Sequence, residues 1–373
     1  MFFTIIKGLI RLFTFAFSLG LLISYLSPLI SPESIWVLQL FGLAYPIFLT
    51  GTLVFSLLNF AFRRKFIFPL IVLLSGGFIH IKYFGIDFKT SKNELHTETN
   101  NELKVMSFNV RLFDVYRLIK PEVKDSKAEF SEFFKQNTSD ILCLQEYAED
   151  KSNSSLISPS DIKKIGGFTH HVTRMTLEAR RMTMGQSIFS KYPIINSGTI
   201  GDSSVSIPSL FADIVKGKDT LRIYNFHLES IRFQKDEYSL FDNTIISDKD
   251  YSQRITGLLR KLKEAYPLRV QQAQQLINHA NKSPYSTFVI GDLNDPPTSY
   301  TYSLLTQHFK DAFYTANFGM TRTYAGKVPA GRIDYIFYNK KWSPVSFKTH
   351  NEKALSDHYA ISSTFKIMKS TLE

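Results

Sequence analysis

Chemistry-bearing side chains recur where apolar runs begin or end. Asn109 closes the run Lys104-Val105-Met106-Ser107-Phe108, and Glu146 closes Ile141-Leu142-Cys143-Leu144-Gln145. His227 comes late in Leu221-Arg222-Ile223-Tyr224-Asn225-Phe226, and Asp292 and Asn294 follow Phe288-Val289-Ile290-Gly291. Asp334 lies within Gly331-Arg332-Ile333-Asp334-Tyr335-Ile336-Phe337, and Asp357-His358 introduce the last apolar run. A core strand has no use for a terminal carboxylate or imidazole. Gathered on one sheet edge, these ends make a site lined with acid, amide and imidazole groups. Oxygen donors of this kind suit a hard cation such as Mg²⁺, and no Cys/His grouping has zinc spacing. Taken singly, Asn109, Asp292 and Asn294 read as turn residues and the histidines as surface residues. The ordered set is what argues for a site.

The strings Ser107-Phe108-Asn109, Leu144-Gln145-Glu146, Asn225-Phe226-His227-Leu228, Gly291-Asp292-Leu293-Asn294, Arg332-Ile333-Asp334-Tyr335-Ile336 and Ser356-Asp357-His358 resemble, in residues and in order, the endonuclease/exonuclease/phosphatase (DNase I-like) superfamily. The resemblance spans residues 103–366 and implies an α/β (α+β) four-layer αββα sandwich. It implies a Mg²⁺ site, with Mn²⁺ as the alternative ion, at Glu146 helped by Asn109 and Asp357. Asp292 would deprotonate or orient the attacking water, and Asn294 would hold the phosphate. His358 would donate to a non-bridging oxygen, oriented by Asp334. His227 would protonate the leaving oxygen or bind phosphate. The Asn-x-His-Leu string is more like the DNase I, sphingomyelinase, deadenylase and inositol-phosphatase branches than the abasic-site nucleases. Glu229 reads as an exposed strand-end carboxylate or a partner of His227. Arg174, Arg180 and Arg181 read as a solvated loop face or as phosphate contacts.

The elements that must position these residues alternate. Strands are expected at Leu103–Val110, Ile141–Gln145, Ser187–Phe189, Leu221–Leu228, Thr287–Ile290, Ile333–Tyr338 and Tyr359–Phe365. Helices are expected at Pro121–Gln136 and Ser252–Asn281, the second broken or kinked at Pro267. Residues 231–251 read as a loop or insertion. The single cysteine, Cys143, excludes an internal disulfide and reads as a buried hydrophobe.

Residues 1–85 are a different material. Apolar stretches at Leu12–Ile30, Ile35–Phe62 and Phe66–Tyr83 predict three transmembrane helices, followed by a polar linker over 86–101 and a catalytic domain over 102–373. Gly76-Gly77 weakens the third stretch. The first is longer than a signal-peptide core and lacks a small-residue cleavage pattern, so it reads as a retained anchor. Lys7, Arg11 and the Arg63-Arg64-Lys65 loop belong on the cytoplasmic side, so three crossings place the catalytic domain outside, periplasmic in a bacterium, and a third stretch that does not cross would leave it cytoplasmic. The expectation is a multi-pass, membrane-anchored, Mg²⁺-dependent phosphoric ester hydrolase. The net charge of +11 suits a polyanionic substrate or an anionic lipid surface, and nucleic acid is favoured over a phospholipid headgroup as the phosphodiester substrate. A lipid or inositol-phosphate phosphodiesterase or phosphatase is the alternative, and a non-catalytic membrane scaffold on the same fold is the third reading. The bilayer is the expected partner of the N-terminal helices, and no protein partner is expected.

Overall fold

A computed structural model of the chain describes residues 1–62, 67–84, 102–115, 126–150, 156–178, 182–201, 208–231, 248–317, 319–326, 331–339, 341–351 and 355–367. The expected linker, the Arg63–Lys65 loop, Arg180, Arg181, the first turn of the expected 121–136 helix and most of the 231–251 segment lie outside the described residues.

Two six-stranded sheets face each other. The first has the order β11-β12-β1-β2-β4-β3, built from β1 (Glu102–Asn109), β2 (Ile141–Asp150), β3 (His170–Glu178), β4 (Met182–Ser190), β11 (Trp342–His350) and β12 (Ala360–Ile367). The second has the order β5-β6-β7-β8-β10-β9, built from β5 (Ile194–Ile200), β6 (Ser209–Lys216), β7 (Asp219–His227), β8 (Ser286–Asp292), β9 (Lys310–Asp311) and β10 (Asp334–Tyr338). Period-two alternation sorts their side chains into separate layers. Val105, Ile141, Cys143, Leu221, Ile223, Phe288, Ile290 and Ile336 fill the space between the sheets. Met106, Phe108, Leu142 and Leu144 point outward onto α7 (Ser126–Gln136) and α8 (Pro159–Gly166). Tyr224, Phe226 and Val289 pack the other outer face under α9 (Asp248–Asn281) and α10 (Tyr300–Thr306). The result is the expected αββα sandwich, with Cys143 buried in its centre.

The inward rows change character along the strands. Leu103 and Val105 give way to Ser107, Ile141 and Cys143 to Gln145, and Leu221 and Ile223 to Asn225. Gln145 Nε2 donates to Asn225 Oδ1 at 2.7 Å, while Asn225 Nδ2 donates across the sheets to Leu144 O (2.9 Å) and Ser187 O (3.0 Å). An apolar residue at 225 would strand both buried carbonyls, at about 1–3 kcal/mol each. Asn225 is thus committed to joining the sheets beneath the site.

Pro267 does not end its helix, because α9 runs through it. Proline removes one backbone hydrogen bond, and the buried face of Leu262, Tyr266, Ala273, Leu276 and Ile277 holds both halves in place. The strands β3, β5, β6, β9 and β11 were not singled out from the sequence as separate elements.

The N-terminal segment departs from three uninterrupted spans. The first apolar stretch is one helix, α1 (Phe2–Ser24), the only single described helix long and apolar enough to cross a bilayer. It begins before Leu12 because Lys7 and Arg11 are good helix formers. After the short helix α2 (Pro32–Ile35), the second stretch is split into α3 (Val37–Leu43) and α4 (Tyr45–Ala61), bent by 59°. Pro46, in the first turn of α4, has no N–H to return to the Gly42 carbonyl. The third stretch is split into α5 (Ile67–Ser75) and α6 (Gly77–Tyr83), each too short to span by itself. Gly76, at the break, lies against the Tyr25 ring, which a Cβ there would meet at 2.2 Å.

Candidate active site

The inward rows end at the functional side chains. Asn109 continues the row of Val105 and Ser107, and His227 that of Ile223 and Asn225. Asp292 continues Phe288 and Ile290, and Asp334 precedes Ile336 and Tyr338 on the antiparallel neighbour, paired with Asp292. His227 sits opposite Asp292 in the parallel β7–β8 ladder. Apolar residues at these positions would extend the core, whereas the polar set opens a site at its end.

Glu146 breaks the alternation. Its place in β2 should turn it outward, but the β2–β4 register shifts between Leu144 and Tyr147, and Glu146 has φ +46°. A bulge re-aims a side chain in this way. Glu146 and Asn294 (φ +56°) are joined by a left-handed turn over Arg111, Leu112, Phe113 and Asp114. These are the described non-glycine residues with positive φ, and Glu146, Asn294 and Arg111 among them supply or contact the carboxylates of the site. Such conformations cost on the order of 1–3 kcal/mol each and persist only where surrounding contacts impose them.

Asn109 Nδ2 donates to Asp292 Oδ2 at 3.0 Å and to Glu146 Oε1 at 3.2 Å. Both imidazoles aim at the same carboxylates. His227 Nε2 lies 3.7 Å from Asp292 Oδ2 and 3.8 Å from Glu146 Oε1, and His358 Nε2 lies 3.6 Å from Asp292 Oδ2. His358 Nδ1 faces Asp334 Oδ2 at 3.0 Å. Asn109, His227, Asp292, Asp334 and His358 are buried, while the Glu146 side chain is 32% exposed and forms the solvent side of the cluster.

Burial by itself would lower the His358 pKa, but the Asp334 and Asp292 carboxylates overturn it and hold the imidazole well above its usual value. Burial pushes Asp334 up to about 6, against the downward pull of His358. At neutral pH the pair is therefore imidazolium and carboxylate. Asp292, Asp334 and His358 bring one donor atom each within 4.8 Å of one another. A protonated imidazole held by Asp334 is a poor metal ligand, so His358 is better suited to donating to a phosphate oxygen.

The carboxylates of the cluster differ in their charged partners. Asp357 is ion-paired with Arg111 at 3.0 Å, and Asp334 with His358. Glu146 has a neutral amide and His227 beside it, Asp292 has these and His358, and no Lys or Arg is paired with either among the described residues. With His358 beside Asp292 and no cationic side chain paired with Glu146 among the described residues, the Glu146 side of the cluster fits a divalent ion with oxygen ligands.

Three of the expected site residues have partners within the protein. Asn109 offers its amide nitrogen to the carboxylates while its oxygen accepts the Arg111 N–H at 3.1 Å, so it bridges Glu146 and Asp292 and presents no oxygen to a cation. Asp357 is engaged by Arg111 and by Ser356 Oγ. Asn294 spends its amide on Leu228 O (2.9 Å) and gives its backbone N–H to Asp292 Oδ1 (2.8 Å), which orients that carboxylate. Glu229 contributes main-chain contacts to α9, its N–H to Gln272 and its carbonyl to Arg269. Arg174 lies exposed on β3. Sequence reasoning missed Arg111, Ser356 as a tie to the Asn109 carbonyl (2.8 Å), Thr323 beneath the Asp334 N–H (3.0 Å), and Tyr324, whose ring stands edge-on to His358 at 5.2 Å.

A model described as the Endonuclease/Exonuclease/phosphatase family matches residues 106–358. A domain of unknown function matches residues 7–83. No curated protein matches the chain. Similar solved structures include an endonuclease/exonuclease/phosphatase from Beutenbergia cavernae DSM 12333, 16% identical over 73% of each chain with a TM-score of 0.53. A family protein from Bacteroides thetaiotaomicron is 13% identical over 72% of this chain and 96% of its own, TM-score 0.49. Truncated Caenorhabditis elegans TDP2 is 17% identical over 71% of this chain and 98% of its own, TM-score 0.47.

In an NMR titration of the imidazoles, His358 is expected to remain protonated at pH 7.5. Asp334→Asn removes the carboxylate that holds the proton and should move the midpoint down. An unchanged midpoint would show that Asp334 does not set the charge of His358.

Proposed function

The chain belongs to the endonuclease/exonuclease/phosphatase family, and from that premise we propose that it is a membrane-anchored, Mg²⁺-assisted hydrolase of phosphodiester bonds, with Mn²⁺ able to replace Mg²⁺. The observation that carries the proposal is the convergence of Glu146, Asp292, Asn109, His227 and His358 on one point at the open end of the sandwich.

Glu146 is the carboxylate that would hold the cation, whose chemistry is to polarise a phosphoryl oxygen and offset negative charge in the transition state. Asp292, oriented by the Asn294 N–H and the Asn109 amide, accepts a proton from the attacking water. His358, kept cationic by Asp334, donates a charge-assisted hydrogen bond to a non-bridging oxygen. His227, buried with Nε2 toward Glu146 and Asp292, is placed to serve the leaving oxygen.

Anchoring is supported by α1 and by the bent α3–α4 pair. Lys7 Nζ lies 5.6 Å from the centre of the Phe62 ring, so the start of α1 and the end of α4 form one basic end of the helical unit. Under the positive-inside rule that end is cytoplasmic and the catalytic domain is outside. A reporter active only in the cytoplasm, fused after Glu373, should be silent, and an active one would reverse this orientation.

With bis-p-nitrophenyl phosphate and Mg²⁺, Asp292→Ala and His358→Ala should each lower kcat by about a hundredfold or more while KM changes little, because both act in the transition state. EDTA should abolish turnover, and Mg²⁺ or Mn²⁺ should restore it. Near-normal kcat in either variant, or turnover indifferent to EDTA, would contradict these roles.

A further inference from the structure

The catalytic domain is fastened to one end of the helical unit, and the fastening points are on two segments that shape the site. Pro46 cannot bond the Gly42 carbonyl, and that oxygen accepts Thr298 Oγ1 at 2.7 Å. The neighbouring Gln39 side chain, 3% exposed, donates to Ser27 O (3.0 Å) and Ile30 O (3.3 Å), and its Oε1 accepts the Tyr300 N–H at 3.1 Å. Gly42 fits only without a side chain, since a Cβ would lie 2.9 Å from Thr298 O and 2.2 Å from Ser27 Oγ. Thr298 and Tyr300 continue the loop that begins at Asp292 and Asn294. On the other flank, Gly319 donates its N–H to Phe84 O at 2.9 Å, and Tyr83 Oη approaches Gly331. The 319–326 and 331–333 segments carry Tyr324 and Thr323 and lead into Asp334.

Both contacts use the end of the helical unit opposite Lys7 and Phe62. Between the two ends lies an apolar lateral surface that exposes Phe13, Leu19, Leu53, Leu57, Ile71 and Leu74. A bilayer around that belt puts the docked end at the headgroup level. Through Gln39, Gly42 and Phe84 the walls of the site are then held at that level, where a lipid phosphodiester is present at high local concentration. A nucleic acid would have to approach the same rim against the repulsion of anionic lipid.

Resting on the phosphodiesterase reading, we infer that the substrate is the headgroup phosphodiester of a membrane lipid, attacked at the bilayer surface, and that Gln39 and Thr298 are positioning residues that present the site to it. The water oxygen forms a new P–O bond, one of the two ester P–O bonds breaks, and the leaving oxygen departs as an alcohol. One water proton passes to Asp292 and a proton is delivered to the leaving oxygen. No further reactant is needed.

The full chain, reconstituted in vesicles of phosphatidylethanolamine and phosphatidylglycerol with Mg²⁺, would be followed by ³¹P NMR for released products, with bis-p-nitrophenyl phosphate, plasmid DNA and RNA assayed in parallel. Lipid hydrolysis faster than that of either nucleic acid is expected. The Gln39→Ala/Thr298→Val double variant should lose at least tenfold on vesicle lipid while staying within twofold on bis-p-nitrophenyl phosphate. Nucleic acid cleaved with the lipid left intact would overturn the inference, as would intact lipid despite turnover of bis-p-nitrophenyl phosphate. Equal losses on both substrates in the double variant would reduce the docking residues to a structural role and overturn it as well. Failure of every substrate, bis-p-nitrophenyl phosphate included, would instead remove the phosphodiesterase reading beneath it.

Discussion

Glu146 and Asp292 are two carboxylates brought together from opposite sheets with one neutral amide between them. Their mutual repulsion is offset by no lysine or arginine among the described residues, although other carboxylates in the same cluster are paired, Asp357 with Arg111 and Asp334 with His358. Much of the surrounding structure holds this pair in place. The bulge and positive φ at Glu146 turn it toward Asp292, and the strained turn at Asn294 directs a backbone N–H at the Asp292 carboxylate. A fold that spends strain and charge repulsion at one point is arranged for a ligand that relieves the repulsion.

The sandwich delivers these groups through its own periodicity. The rows that fill the inter-sheet core with aliphatic and aromatic side chains become Ser107, Gln145 and Asn225, and then Asn109, His227, Asp292 and Asp334. The middle tier is fully hydrogen-bonded across the gap, which keeps the sheets in register directly beneath the site. Gly291 allows the close approach of β8 to β7 there, because a Cβ would lie 1.9 Å from Phe226 O. Catalytic geometry therefore rests on the rigid ends of strands, the arrangement that best preserves small distances.

What was legible in the sequence follows the same logic. Asn109, His227, Asp292 and Asp334 were legible because each extends an alternating apolar row by one more inward step. Glu146 was legible by type, but its direction depends on a bulge that no periodicity announces. The Arg111–Asp357 pair was hidden because it is made by a left-handed turn of ordinary residues, Arg111 to Asp114, where glycine or asparagine would have been the signal. Asn294 was found but its role changed, since a side-chain amide's partner is set by tertiary contact with Leu228. The N-terminal stretches were legible as apolar material. Their breaks at Ala44 and Gly76 depend on Pro46 and on packing against Tyr25, which composition does not record.

The helical unit and the sandwich meet through polar contacts on segments that flank the site, so the proposed anchoring and catalysis would share one set of walls. That design still turns on whether a cation sits beside Glu146. Crystals of the protein soaked in Mn²⁺ and measured at the manganese edge would locate it. The expected result is an anomalous peak in contact with the Glu146 carboxylate that vanishes in Glu146→Gln. A peak held instead by Asp334 and His358, or no peak in the cluster at saturating Mn²⁺, would contradict it.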